Sequence, residues 1–174
     1  MNEFKNDHLS YSRLSRFEQC PLSFKLHYID QSKAAPNMSL KFGRVIHAVL
    51  EQLYQNVMDQ ETMAPLSEKR ALDLYSEVCI AEGLVGISPF EEGADILKEF
   101  VRSRGVVDHR NILAVEKEFE IKVGPFPVCG FIDHVDSVDD ETINVINYKS
   151  AAGESDFVAF FGSGKTRPHF HILR

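Results

Sequence analysis

The chain has 174 residues and a mass of 19.7 kDa, with 44% hydrophobic and 26% charged residues. That composition excludes wholesale disorder, collagen and coiled coil, and the length suits one ordinary domain whose core needs no staples. The net charge of −7 argues against non-specific coating of nucleic acid. Residues 1–50 nevertheless carry a net +3 against −10 for residues 51–174, which reads either as a basic part able to meet phosphates or as an ordinary solvated surface.

Apolar runs are only a few residues long, so no membrane-spanning helix is expected. MNEFKNDHLS lacks the apolar centre of a secretory signal. Cys20, Cys79 and Cys129 form no CxxC and no even set, which points to a reducing, cytoplasmic setting rather than a disulfide framework.

Along the chain, Ser10 and Ser12 can cap a short helix carrying Leu14 and Phe17, and Pro21 suits the first turn of a second helix from Leu22 to about Ile29. Residues 30–38 read as a loop. From Ser39, the residues Phe42, Val45, Ile46, Val49, Leu50, Leu53, Tyr54 and Val57 form a clean amphipathic stripe. Ala71, Leu74, Tyr75, Val78 and Cys79 mark another helix, which Gly83 can end. Ser88-Pro89-Phe90-Glu91 looks like a capping box with a first-turn proline. It precedes a helix carrying Ile96, Leu97, Phe100 and Val101 that stops at Gly105. The period then falls to two, which predicts strands over Ile112–Val123, Val128–Val138 and Thr142–Lys149. Helices followed by a three-stranded meander predict an α/β or α+β domain with one sheet.

The last hairpin carries the chemistry. With a turn at Asp139–Glu141, Val138 pairs with Thr142 and Asp133 falls opposite Asn147, with Cβ atoms about 5 Å apart. Lys149 then shares the face of Asn147, and a one-residue slip would separate the set. Phe131, Val135, Ile143 and Val145 occupy the same face, which therefore reads as buried. Burying a carboxylate and an ammonium there calls for a reason. A half-buried Asp133–Lys149 salt bridge is the plain reading, and a site is the other.

GFIDHVD followed by VINYKS resembles the metal-binding hairpin of the PD-(D/E)XK nucleases, specifically the RecB-type, AddB-like exonuclease branch. In that branch the pattern is G-[FR]-I-D-x-[VI]-D, a turn, then [VIL]-[ID]-D-Y-K-[TS]. LSYSRLSRFEQCPLSFKLHYI is similar to the branch's N-terminal signature, FGRVIHAVLEQLY to its G-x-x-[IVL]-H-x-x-L-E motif, and VEKEFEI to the strand before the hairpin. The four pieces stand in the right order over residues 9–150.

The resemblance implies an α/β, restriction-endonuclease-like core, with N-terminal helices packed on a small mixed sheet. The nuclease-like domain would cover residues 1–150, leaving 151–174 as an atypical tail read as disordered. It implies metal-dependent DNA cleavage, tied to repair, recombination or foreign-DNA processing, with DNA as partner and a helicase or other member of a nuclease complex as companion. Asp133 would ligate Mg²⁺ or Mn²⁺, His47 would help hold the ion, residue 147 would be the second carboxylate, and Lys149 would orient or activate the attacking water. Hard dications favour oxygen ligands, and phosphodiester hydrolysis needs an activated water and charge neutralisation. Taken alone, without the motif, His47 reads as a polar residue bordering a helix stripe. Arg13, Arg16, Lys25, Lys41 and Arg44 are candidate phosphate contacts.

Three departures qualify the resemblance. Residue 147 is Asn, which keeps the shape of Asp and removes its charge. Glu116 or Glu118 can help hold the metal, although both also read as solvent-facing strand residues. Catalysis is therefore expected to be impaired, and a catalytically inactive DNA- or protein-binding module is the alternative. Second, SAAGESDFVAFFGSGKTRPHFHILR contains none of the branch's Gln-x-x-x-Tyr, which suggests a truncated or altered C-terminal part. Third, Cys20 matches the early cysteine of iron–sulfur relatives, but the late cysteine triplet is absent. Four ligands are needed, so no cluster is expected and Cys20 reads as a small buried hydrophobe. GSGKT at 162–166 lacks the first glycine of a P-loop, and His169 and His171 read as tail residues rather than a metal clip.

Overall fold

The computed structural model describes residues 8–32, 37–84, 86, 92–139 and 141–148, together with the backbone of 157–163 and 166–173. Ser10 caps α1 (Tyr11–Gln19) by accepting from Arg13 N–H, and Cys20 breaks to α2 (Pro21–Phe24), with Pro21 in its first turn. The winding then loosens to a π-helical turn over Lys25–Ile29. Asn37, rather than Ser39, starts the long helix α3 (Met38–Asp59), because its side chain accepts from Leu40 N–H. Ser67 likewise caps α4 (Glu68–Ala81). The next helix, α5 (Gly93–Arg104), ends at Gly105 with φ +64. The capping box foreseen at Ser88–Glu91 lies outside the described residues.

Two short strands, β1 (Met63–Pro65) and β2 (Val106–Asp108), pair antiparallel. Sequence periodicity misses them because three residues are too few to show alternation. The main sheet runs β3 (Ile112–Val123), β4 (Phe126–Ser137), β5 (Ile143–Ile146), β6 (Phe157–Ser163) and β7 (Thr166–Leu173), with neighbours in chain order. It has five strands rather than the three foreseen, since the backbone of the segment read as a tail forms the β6–β7 hairpin. The β4–β5, β5–β6 and β6–β7 pairings are antiparallel. Among the described residues, the parallel contact is an isolated bridge between Leu9 and Val128. Strand β5 stops at Ile146, short of the predicted Lys149. Gly164 and Lys165 of the GSGKT stretch, and the side chains of His169 and His171, lie outside the described residues.

The chain divides into two units, 1–36 with 118–131, and 37–117 with 132–174. In the first, Leu9 N–H donates to Pro127 C=O at 2.8 Å and Cys129 N–H donates to Leu9 C=O at 2.9 Å. Cys20 is exposed there, contrary to the buried hydrophobe foreseen, because its Sγ is used as the α2 cap. The second unit holds the core, built from the α3 stripe with Leu74 of α4, Leu97 of α5, Ile112 and Ile146. Burial of such side chains supplies its stability, at about 1.5–3 kcal/mol each.

The β4–β5 register is His134–Ile146, Val135–Val145, Asp136–Asn144 and Ser137–Ile143, and Val138 N–H donates to Thr142 C=O at 2.9 Å. This is the register the hairpin sequence predicts. The face predicted to be buried is buried only at its centre: Asp133 and Val135 are buried, whereas Phe131 and Ile143 are exposed, and His134, Ile146 and Tyr148, at the alternate positions, are buried as well. The helices decide this, since Tyr54 of α3 stacks 4.1 Å from the His134 ring and Phe100 of α5 meets Tyr148 edge-on at 5.7 Å.

Candidate metal centre

Helix α3 turns its apolar stripe inward and leaves His47 on the flank, half-buried beside the fully buried Ile46. Strand β4 carries Asp133, which is 7% exposed, and β3 carries Glu116. These three residues converge. His47 Nδ1 lies 3.6 Å from Asp133 Oδ1 and 3.8 Å from Glu116 Oε1, and the three candidate ligand atoms all lie within 4.8 Å of one another. The other Asp133 oxygen accepts a hydrogen bond from Tyr148 N–H.

Glu116 reaches the cluster through an unusual backbone. Its φ is +46, in the left-handed region that strands and side-chain-bearing residues avoid. The regular pleat is interrupted there. A strict period of two cannot tell Glu116 from Glu118, and the break distinguishes them: Glu118 is exposed, whereas Glu116 is half-buried and faces His47. Burial pushes the Glu116 carboxyl above its ordinary range, the Asp133 and Glu51 charges push it further, and His47 offsets part of this. Sequence reasoning misses Glu51. The available signal is its place one helical turn after His47 on the same flank.

The donor set fits a hard divalent cation. Ligand atoms about 2.1 Å from an octahedral Mg²⁺ stand roughly 3.0 Å apart when adjacent, and the 3.6 and 3.8 Å separations are wider than that by less than about 1 Å. Burial first and the Asp133 charge second raise the Glu116 carboxyl, and a bound cation would relieve both.

The other predicted positions are distributed differently. Asn147 is half-buried and follows β5, one step beyond the last ladder pair, His134–Ile146. Lys149 lies outside the described residues. Arg13 is buried, its guanidinium 4.9 Å over the Tyr28 ring and donating to the His8 carbonyl at 2.8 Å, so it is engaged within its own unit. Arg16 also lies over Tyr28 and donates to Ser23 Oγ, and Lys25 pairs with Asp30 at 3.7 Å. Lys41 is half-buried and Arg44 exposed on α3.

Comparison with known proteins identifies the family. The family model of the PD-(D/E)XK nuclease superfamily matches residues 8–159. The chain is similar to an ATP-dependent helicase/deoxyribonuclease subunit from one Streptococcus pyogenes serotype, at 25% identity over 164 residues, covering 88% of this chain and 15% of that protein. It is similar to the corresponding protein of another serotype at 26% identity with the same coverage. The chain thus spans about 15% of the length of the curated relatives it matches. No solved structure matches it significantly.

Proposed function

Because the chain belongs to the PD-(D/E)XK nuclease superfamily, we propose that it is a RecB-type, metal-dependent DNA nuclease domain whose catalysis is impaired at Asn147. The observation that carries this reading is the convergence of His47, Glu116 and Asp133 within 4.8 Å. In this reading these three residues hold Mg²⁺ or Mn²⁺. When bound, the ion supplies Lewis-acid stabilisation of the phosphoryl oxygen and a more acidic water.

Asp133 is fixed by the Tyr148 amide and His47 by the rigid α3, so the pair keeps its geometry through turnover. Lys149 orients the attacking water and offsets charge on the scissile phosphate. Arg44, exposed on the helix that carries His47, and Lys41 draw the DNA backbone in. Asn147 contributes an amide oxygen in place of a carboxylate. The lost unit charge at about 4 Å is worth roughly 4 kcal/mol at an effective dielectric of 20, near a thousandfold in metal affinity. Glu116 compensates in part.

The name the relatives carry, helicase/deoxyribonuclease, supports DNA as the substrate and a helicase-type companion; a cytoplasmic place in repair, recombination or foreign-DNA processing belongs to the same proposal. Among the described residues, no helix is long and apolar enough to cross a membrane. Asn147 also favours a second reading, a catalytically inactive module that binds DNA or a partner protein.

Cleavage of labelled linear DNA with Mg²⁺ or Mn²⁺ separates the two. Asn147→Asp is expected to cut faster than the native chain, and Asn147→Asp with Lys149→Ala is expected not to cut. Intact DNA in every arm, from cooperatively folded protein, would favour the binding module.

A further inference from the structure

Next to the candidate metal centre, reached by the same helix α3, lies a second polar assembly. His134 is fully buried and its Nε2 hydrogen-bonds Asp136 Oδ1. The other Asp136 oxygen lies 3.8 Å from Arg104 Nη2, and Arg104 Nε donates to the Tyr54 hydroxyl at 2.8 Å. The Arg104 guanidinium also covers the Phe100 ring at 5.5 Å. His134 Nδ1 is buried without a hydrogen-bond partner among the described residues. An imidazole with one unsatisfied nitrogen costs more in a core than an apolar side chain of its size. Stability alone does not account for this choice of residues.

Register does. The β4–β5 ladder has four pairs, and β4 carries apolar residues toward both faces, as Ile132 and Val135 show. Hydrophobic pattern therefore specifies the register weakly, and a one-residue slip would carry Asp133 to the face opposite His47. The same slip would carry Asp136 away from Arg104 and leave two half-buried charges unpaired, which makes it costly. We propose that Arg104, acting through Asp136 and His134, is a positioning residue that sets the pitch of β4 and so presents Asp133 to His47. This deepens the metal-centre reading and rests on it.

The test uses the full chain and two readouts, the histidine ring resonances of the metal-free protein by NMR and Mn²⁺ affinity by electron paramagnetic resonance. Asp136→Asn and Arg104→Gln are compared with Leu74→Ala, a cavity-forming change on α4, at a temperature where all are folded. Arg104→Gln removes both the charge that faces Asp136 and the Nε donor to Tyr54, and carries the comparison if Asp136→Asn fails to fold. Both variants are expected to displace the His47 resonances and weaken Mn²⁺ binding about tenfold, as loss of a supporting partner does elsewhere. Leu74→Ala is expected to leave both near native. Unchanged His47 resonances in the variants, or equal displacement in Leu74→Ala, would overturn the proposal. A native chain that binds no Mn²⁺ would sink the metal-centre reading instead, while the His47 resonances still decide the positioning role.

Discussion

His47 on α3 and Asp133 on β4 face each other across 3.6 Å, Nδ1 to Oδ1, although neither is near the other in the chain. Together with Glu116 they bring three candidate ligand atoms within 4.8 Å of one another, and on the proposed reading a cation binds them only when the chain is folded. Mn²⁺ at a hundred times its dissociation constant is therefore expected to stabilise the fold by about 2.7 kcal/mol. The gain should disappear with chelator and in Asp133→Ala. Thermal melts with and without Mn²⁺ check it, and an equal gain in Asp133→Ala would place the ion elsewhere.

Glu116 sets function against stability. Its carboxyl titrates above the ordinary range because burial, Asp133 and Glu51 oppose its charge. The folded chain thus holds that proton more tightly than the unfolded chain, and the associated stability is lost as pH rises through the folded-state value. At pH 7 this carboxyl therefore works against the metal-free fold. Glu116→Gln is expected to raise the melting temperature of the metal-free protein at pH 7 and to lower Mn²⁺ affinity. The thermal gain should fade below about pH 4, where the unfolded carboxyl is also protonated. Calorimetry across this range, beside a Mn²⁺ titration, reads both signs.

Asp108 behaves in the opposite sense. Hydrogen bonds from the Arg110 guanidinium and backbone N–H, at 2.6–3.0 Å, hold its carboxyl down at about 2. Its contribution is complete above the unfolded value of about 3.9 and is lost as pH falls through about 2. Asp108→Asn should lower the melting temperature near pH 5, and the gap to the native chain should close as pH approaches 2. A gap independent of pH would assign the effect to the cap Asp108 makes on Arg110 N–H rather than to its charge.

Gly93 opens α5 directly against Tyr75. A methyl group built there overlaps the Tyr75 hydroxyl and ring, and Tyr75 is itself buried in the core. Gly93→Ala should cost about 1–3 kcal/mol through forced repacking, despite the better helix propensity of Ala. Urea denaturation measures it. A stabilised variant would mean that Tyr75 swings clear without loss.

The sequence by itself determined the helices with strong 3.6-residue stripes, the turn that closes the β4–β5 hairpin and the family. Each rests on local periodicity, turn chemistry or motif spacing, which neighbours along the chain specify. His47 and Asp133 are legible in this way, as motif positions. Tertiary structure decided that the His134 face of the hairpin is buried too, because Tyr54 and Phe100 arrive on His134 and Tyr148 from distant helices. It also decided between Glu116 and Glu118, since a left-handed residue breaks the pleat that period-two reasoning assumes. Arg13 shows the same limit. As a cation in a basic stretch it reads as a phosphate contact, yet Tyr28 and the His8 carbonyl claim it within the fold. Burial and charge pairing depend on which surfaces meet, and that is settled only when elements far apart in sequence pack together.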